Sequence, residues 1–385
     1  MAVHLLVGAR LSCVLGIIFV LSACGGGSGD ANPPAASSLA ATSSSVSSAS
    51  TPSSSSVASN SNSSVVSSTT QSSSSSTSSS LTNSERINAA TQTAQTNNYC
   101  VAVRPFYWEI GDQNAALASG SVGGTSFTAT TDMPIASASK WVFGAYVARL
   151  HAGQLTADDI SALTMNSGYT NFDEVSCIRI LQSTQDAETV NDCFQSGGAN
   201  GGKNSDYIND NLNHFFYNGG HFQNLAVNLG LGSLNNASLQ AAVQAQLGTD
   251  FNFTYGTPQL AGGVNTSAAN YAIFLRKILN NQLAIHDLLG QQAVCTQLSS
   301  CPTAIYTPAP TTESWNYSLG HWVENDPTTG DNTFSSPGAF GFYPWIDKTK
   351  TYYGVLARKS DPGSGFESVY CGRLIRKAWV TGIVQ

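Results

Sequence analysis

The sequence predicts an α+β fold for residues 84–385: an antiparallel sheet flanked by helices, with an additional helical lobe. Three observations predict it. β-rich stretches stand near both ends, Cys100 to Ile110 at the start and the segments WNYSLGHWVEN, AFGFYPWID and TYYGVLARK between Trp315 and Lys359. Between them, residues 160–290 read as helical and loop-rich. Strands at both ends with helices between them join in one antiparallel sheet whose edges meet in space. About 300 residues suffice for one large domain or two closely packed lobes.

The chain begins with a different kind of segment. Arg10 precedes the apolar run LSCVLGIIFVLSA, which is too short to span a bilayer comfortably and reads as an export signal over residues 1–23. Its end, Leu21-Ser22-Ala23-Cys24, is followed by three glycines and resembles the lipobox of bacterial lipoproteins. That resemblance implies cleavage before Cys24, lipidation of its thiol, and a membrane contact through the lipid anchor only. Gly25 after the cysteine resembles outer-membrane sorting. Residues 24–83 are then a linker. Between Ser37 and Ser80, 26 of 44 residues are serine, so the segment has too little apolar surface to offset its ordering entropy. A coil of this length separates its ends by roughly 45 Å.

Within the domain, SERINAATQTAQT (84–96) suits an entry helix capped by Ser84. A strand over Cys100–Ile110, a turn at Gly111–Asn114 and a second strand over Ala115–Val122 follow. Met133–Leu150 is helix-compatible, His151–Asp159 is a helix stop and polar turn, and Asn265–Leu279 is an amphipathic helix. Gly197–Lys203 is glycine-rich but lacks the preceding strand and the Gly-Lys-Ser/Thr ending of a phosphate loop. A final helix runs from about Gly365 to Trp379.

Six cysteines remain beyond the signal and anchor: Cys100, Cys177, Cys193, Cys295, Cys301 and Cys371. An even set in an exported chain argues for three disulfides. Short loops favour Cys177–Cys193 and Cys295–Cys301, leaving Cys100–Cys371 to tie the ends of the domain. No C-x-x-C pair is present, so no metal is expected, and no cofactor. A net charge of −7 with only 10% charged residues argues against nucleic acid as a partner. A monomer is expected.

The chemistry-bearing stretch is MPIASASKWVFGAYVARL (133–150). Ser137 and Lys140 are three residues apart, hence on one helical face. A serine hydroxyl needs a neighbouring base to take its proton, and a lysine amine serves once partial burial favours its neutral form. Ser139 adjoins Lys140 in sequence but not on a shared face. By itself the motif is weak, because serine is abundant in this chain.

Its surroundings strengthen it. FTATTDMPIASASKWVFGAYVARLHAGQLTADD, LTMNSGY (163–169), FYNGGHFQNL (216–225), AGGVNTS (261–267) and SSPGAFGFYPWID (335–347) occur in an order that resembles the serine β-lactamase and penicillin-binding superfamily. The resemblance is to its class C-like, esterase-rich branch and covers nearly all of residues 84–385. It implies a β-lactamase-like fold, with Ser137 as the acylated nucleophile, Lys140 as its helical partner and Tyr217 as the proton-shuttling tyrosine. Tyr169-Thr170-Asn171 also spells Y-x-N, but Tyr217 fits the spacing better. The backbone N–H groups of Ser137 and Ala339 would form the oxyanion hole. Asn218, Ser336 and Gly338 would contact the substrate.

Two departures stand out. The third position of the tyrosine motif, usually Asn or Ser, is Gly219. The K-T-G or H-x-G box reads Ser336-Pro337-Gly338, so the cation that binds the carboxylate of penicillins and D-alanyl peptides is missing, unless Arg358 substitutes. The expected activity is therefore hydrolysis of a small ester or amide, polymer- or peptidoglycan-derived, through an acyl-enzyme. β-Lactamase or DD-carboxypeptidase activity is the alternative, and so is a catalytically silent tethered binding domain. His214, His221 and His321 lie near the expected site, but packing is the commoner role for such histidines, and S-x-x-K chemistry needs none. Trp141, Trp315, Trp322 and Trp345 are candidates for a cleft wall, with core packing the commoner role for each.

Overall fold

The computed structural model describes residues 81–177, 188–360 and 365–385, all within one compact unit. The signal sequence, Cys24 and the linker up to residue 80 lie outside the described residues. The linker's last positions do not: Thr82 caps helix α1 (Asn83–Thr96) through a reciprocal pair of bonds with Glu85. The expected cap, Ser84, lies inside the helix instead, since only Thr82 has both the extended backbone and a glutamate three residues on.

Cys100 lies in a short helix, α2 (Asn98–Ala102), opened by the Asn97 side chain accepting from Tyr99 N–H, and not in the expected strand. Strand β1 (Phe106–Asp112) starts only after Pro105, which has no N–H to give a ladder. An Asp112 carboxylate accepting from Asn114 and Ala115 N–H turns the chain into β2 (Ala116–Val122). After β3 (Met133–Pro134) comes α3 (Ser139–Leu150), buried all round from Ser139 to Ala148 because it runs between sheet and helical lobe. The lobe contains α4 (Ala157–Leu163), α5 (Val190–Gln195), β4 (Phe215–Phe216), α6 (Gly220–Ala226) and α7 (Asn236–Leu247). Strands β5 (Thr254–Tyr255) and β6 (Val264–Thr266) form a small sheet with β3, with β6 in the middle. Asn265 and Thr266 thus belong to a strand. The amphipathic helix α8 (Ala268–Leu279) begins after them, capped by Ser267, and buries Tyr271, Phe274, Leu275 and Ile278.

Beyond α9 (Ile285–Leu288), β7 (Val294–Cys295) and β8 (Ala304–Tyr306), the chain returns to strands: β9 (Asn316–Tyr317), β10 (Trp322–Glu324), β11 (Thr333–Ser335), β12 (Tyr343–Ile346) and β13 (Tyr352–Ala357). Helix α10 (Gly365–Thr381) closes the domain. The main sheet is antiparallel throughout, in the order β2-β1-β13-β12-β11-β10-β9-β7. The first and last strand regions meet where Trp108 pairs with Leu356. The Cys100–Cys371 disulfide joins α2 to α10, and the other two bridges are Cys177–Cys193 and Cys295–Cys301, the pairing that loop length favours.

Buried charges hold sheet and helix together. Arg376 on α10 donates to Glu324 on β10 at 2.8 Å, to Asp331 at 2.8 Å and to the Tyr343 hydroxyl of β12 at 2.7 Å. With each group satisfied, the cluster specifies how α10 seats on the strands, and removing one partner would cost about 3–5 kcal/mol.

Candidate active site

Ser137 sits in a single 3-10 turn (Ala136–Ala138) that runs directly into α3. Ala136 before it has a φ of 45°, a left-handed conformation that a β-carbon disfavours. Such a kink persists only where surroundings impose it, and they do so here. The Ser139 hydroxyl, buried beneath the turn, donates to Ala136 O at 2.6 Å and accepts from Val264 N–H of β6. Ser139 is a brace for the nucleophile's turn.

Lys140, one turn after Ser137 and 1% exposed, places Nζ 3.0 Å from Ser137 Oγ and 3.0 Å from Ala261 O. Among the described residues no carboxylate lies within ion-pair distance of it. Tyr217 presents its ring face to the amine, 4.7 Å from Nζ to the centroid. That ring is clamped, stacked on Trp322 at 5.3 Å and edge-on to Tyr317 at 5.6 Å. The structure therefore brings Ser137, Lys140 and Tyr217 together. Tyr169 goes elsewhere: its ring packs on Phe194 and Tyr207, and Asn171 of the same triplet gives its amide to Gly201 O and Lys203 O.

A cavity of about 540 Å³ opens over this group. Ser137, Tyr217 and Asn218 line one side, Pro337 and Ala339 the other, with Phe172, Tyr306, Trp322 and Phe366 between. Of the four tryptophans, Trp322 alone among the described residues reaches this lining; Trp141, Trp315 and Trp345 are core. Asn218 reaches the cavity, but its amide is engaged, donating to Phe172 O and accepting from Gly220 N–H. Gly219 fits the altered tyrosine motif: a β-carbon there would come 2.9 Å from the Phe172 ring, so a larger residue would require that ring to shift.

The segment after β11 departs most from expectation. Ser336 and Gly338, expected to contact the substrate, are buried and are not among the residues that line the cavity. Ser336 Oγ donates to Ser137 O at 3.1 Å. Gly338 lies so close to the turn that a β-carbon would come within 2.0 Å of Ile135 O. Arg358 does not replace the missing cation. It is buried, bonded to Ser368 Oγ and ion-paired with Glu367 of α10.

The histidines serve packing. His221 donates Nε2–H to Phe216 O and accepts at Nδ1 from Ser167, which fixes the strand ahead of Tyr217. His321 accepts from Gly290 N–H at Nε2 and stacks on Trp141. Burial pushes both down to about 4, so both are neutral at pH 7. His214, on the surface, bonds Leu212 O through Nδ1.

Two site features had no direct signal in the sequence. The Ala261 carbonyl that holds Lys140 falls inside the AGG segment, which shows only glycine-rich close packing. Glu174, on the cavity's rim, belongs to no recognisable motif.

The same fold occurs in solved structures described as β-lactamases and penicillin-binding protein homologues. A D-stereospecific amidohydrolase from a Streptomyces species matches with a TM-score of 0.53 at 11% identity, covering 79% of this chain and 100% of its own. D-amino acid amidase from Ochrobactrum anthropi SV3 matches at 0.51 and 13%, covering 73% and 97%. The octameric penicillin-binding protein homologue from Pyrococcus abyssi matches at 0.51 and 12%, covering 74% of each. At these identities what is shared is the fold. No family model and no curated relative matches the chain.

Proposed function

We propose that this chain is an exported serine hydrolase that cleaves an ester or an uncharged amide through an acyl-enzyme on Ser137. The observation that carries the reading is Lys140 Nζ 3.0 Å from Ser137 Oγ at the floor of a cavity that Tyr217 also lines. Held by Ala261 O, Nζ takes the Ser137 proton as Oγ attacks the carbonyl carbon. The tetrahedral oxyanion is held by the N–H groups of Ser137 and Ala339, each worth roughly 3 kcal/mol of barrier. The proton passes through Lys140 and the Tyr217 hydroxyl to the leaving alcohol or amine as the carbon–heteroatom bond breaks. Water then attacks the acyl-Ser137 carbonyl, loses its proton to the same relay, and Oγ departs with that proton as the acid is released. A catalytically silent binding domain would have no use for a lysine that contacts both a serine and a tyrosine of this cavity.

The facing wall favours neutral carbonyl substrates over β-lactams and D-alanyl peptides, because Ser336 is engaged with Ser137 O and Arg358 with Glu367. The amidohydrolase and amidase among the structural neighbours are consistent with amides as well as esters. Incubation with a fluorophosphonate followed by peptide mass spectrometry tests the reading: a covalent adduct on Ser137 is expected. A folded protein with no adduct there would refute it. Comparing p-nitrophenyl acetate with a chromogenic cephalosporin separates esterase from β-lactamase, with the ester expected to be turned over faster.

We also propose that the mature chain begins at lipidated Cys24 and carries its domain on the serine-rich tether, at the outer membrane or cell surface. The three disulfides support export. Radiolabelled palmitate should enter the wild-type chain in a bacterial host and be lost in Cys24→Ala; equal labelling of both would exclude this anchor.

A further inference from the structure

The cavity over Ser137 is nearly all aromatic, proline, glycine and amide, and among the described residues one lining side chain carries a formal charge: Glu174. Its carboxylate is exposed and makes no hydrogen bond or ion pair among the described residues. Glu174 also lines a second cavity of about 240 Å³ together with Ala136, the residue before the nucleophile, and Gly262, the residue after the Lys140-binding carbonyl. It therefore stands where two clefts adjoin beside the Ser137 turn.

This glutamate is mounted on a braced loop. Gln259 Nε2 donates to Glu174 O at 2.7 Å. Asp173 N–H donates to Asn204 Oδ1 at 2.7 Å, and the fully buried Asn204 amide also reaches Ser176 Oγ, Ser196 Oγ and Cys193 O. The Cys177–Cys193 disulfide closes the same loop. A carboxylate carried on a braced backbone, unpaired among the described residues, and lining a cavity with Phe172, Tyr306 and Trp322 meets the two needs of an ammonium group: a counter-charge and aromatic faces.

We propose that Glu174 selects substrates bearing an ammonium group within a few bonds of the scissile carbonyl and disfavours carboxylate-bearing ones. The inference rests on the hydrolase reading above and names its substrate class.

Two isosteric ester pairs test it with the purified full chain. On the acyl side, the p-nitrophenyl ester of 4-(trimethylammonio)butanoate is compared with that of 5,5-dimethylhexanoate. On the alcohol side, acetylcholine is compared with 3,3-dimethylbutyl acetate. Each kcat/KM is normalised to the ester's own hydroxide-catalysed rate. A preference for the cationic member of about tenfold in at least one pair is expected, as the sum of a solvent-exposed ion pair and a cation–π contact. It should shrink as salt rises and fall to within about twofold in Glu174→Gln. Ratios near one in both pairs, or a ratio that survives Glu174→Gln, would overturn the proposal while Ser137-dependent turnover of the neutral esters left the hydrolase reading standing. No Ser137-dependent turnover of any of the four would overturn both.

Discussion

The two walls of the cleft are built on different principles. On one, the chemistry is in side chains: Lys140 touches both Ser137 and Tyr217, and Ser139, Ala261 and Trp322 hold them. On the other, from Ser336 to Ala339, the Ser336 hydroxyl turns back to Ser137 O, Gly338 packs against Ile135 O, and Pro337 and Ala339 line the cavity. The first wall can supply a reaction, while the second supplies little more than shape and N–H donors. Under the proposed function the reaction belongs to one side, and the proposed substrate choice to Glu174, outside both walls.

The largest effects belong to the side-chain wall. Ser137→Ala and Lys140→Ala should each lower kcat/KM for p-nitrophenyl acetate by about 10³-fold or more, and the double variant by little beyond either single one, because the pair acts as a unit. Additive losses would mean that Lys140 does not serve Ser137. On the backbone wall, Gly338→Ala should come next. Its β-carbon would lie 2.0 Å from Ile135 O, so strand and turn must separate. A loss of activity of about 10²-fold and a clear fall in Tm are expected. If Gly338→Ala were wild-type in both, the close approach of the two walls would not be what sets the site.

What the sequence could and could not reveal follows the same division. Ser137 and Lys140 are legible as a pair because helical spacing places i and i+3 together, and Tyr217 only because its segment resembles the family's tyrosine motif. The sheet was legible from its terminal strands, whose aromatic and β-branched residues leave little choice of state. Thr333–Ser335 was not: three residues with one aromatic make no pattern, and their strand state comes from pairing with β10 and β12. The role of Ser336 was hidden for a different reason. Sequence shows which residue replaced the cation but not that its hydroxyl points back to Ser137 O. Arg358 misleads likewise, since only the fold reveals Glu367 and Ser368 beside it.

Two buried neutral histidines also pack in the domain, His221 by the tyrosine segment and His321 against Trp141 of α3, and both are held down to about 4 by burial. An unfolded chain protonates its histidines near 6.5, whereas these two take up protons only near 4. Between those values the unfolded state binds more protons, so stability is complete above about pH 6.5 and falls as the pH drops toward 4. The loss approaches about 3 kcal/mol per histidine at the lower end. Thermal melts from pH 7.5 to 4.5 should show Tm dropping well before carboxylates titrate, and His221→Asn should lower Tm at pH 7.5 while flattening the slope. A Tm constant down to pH 4.5 would contradict the buried, neutral assignment.

The smallest effect is the most discriminating. Ser336 occupies the position where a cation was expected, yet its hydroxyl makes one bond, to the carbonyl of the nucleophile. If it is a support, Ser336→Ala removes one hydrogen bond between neutral groups, worth about 1 kcal/mol. That predicts a decline of about fivefold in kcat/KM, carried by kcat, because the turn and its N–H donors loosen while nothing in contact with substrate is lost. The loss should be the same for p-nitrophenyl acetate and for bulkier esters. If Ser336 instead reaches the substrate, the loss will appear in KM and will vary from one ester to the next. A KM effect that depends on the substrate would move Ser336 from the support of the nucleophile to the recognition surface, and the two walls would no longer divide as the geometry has them.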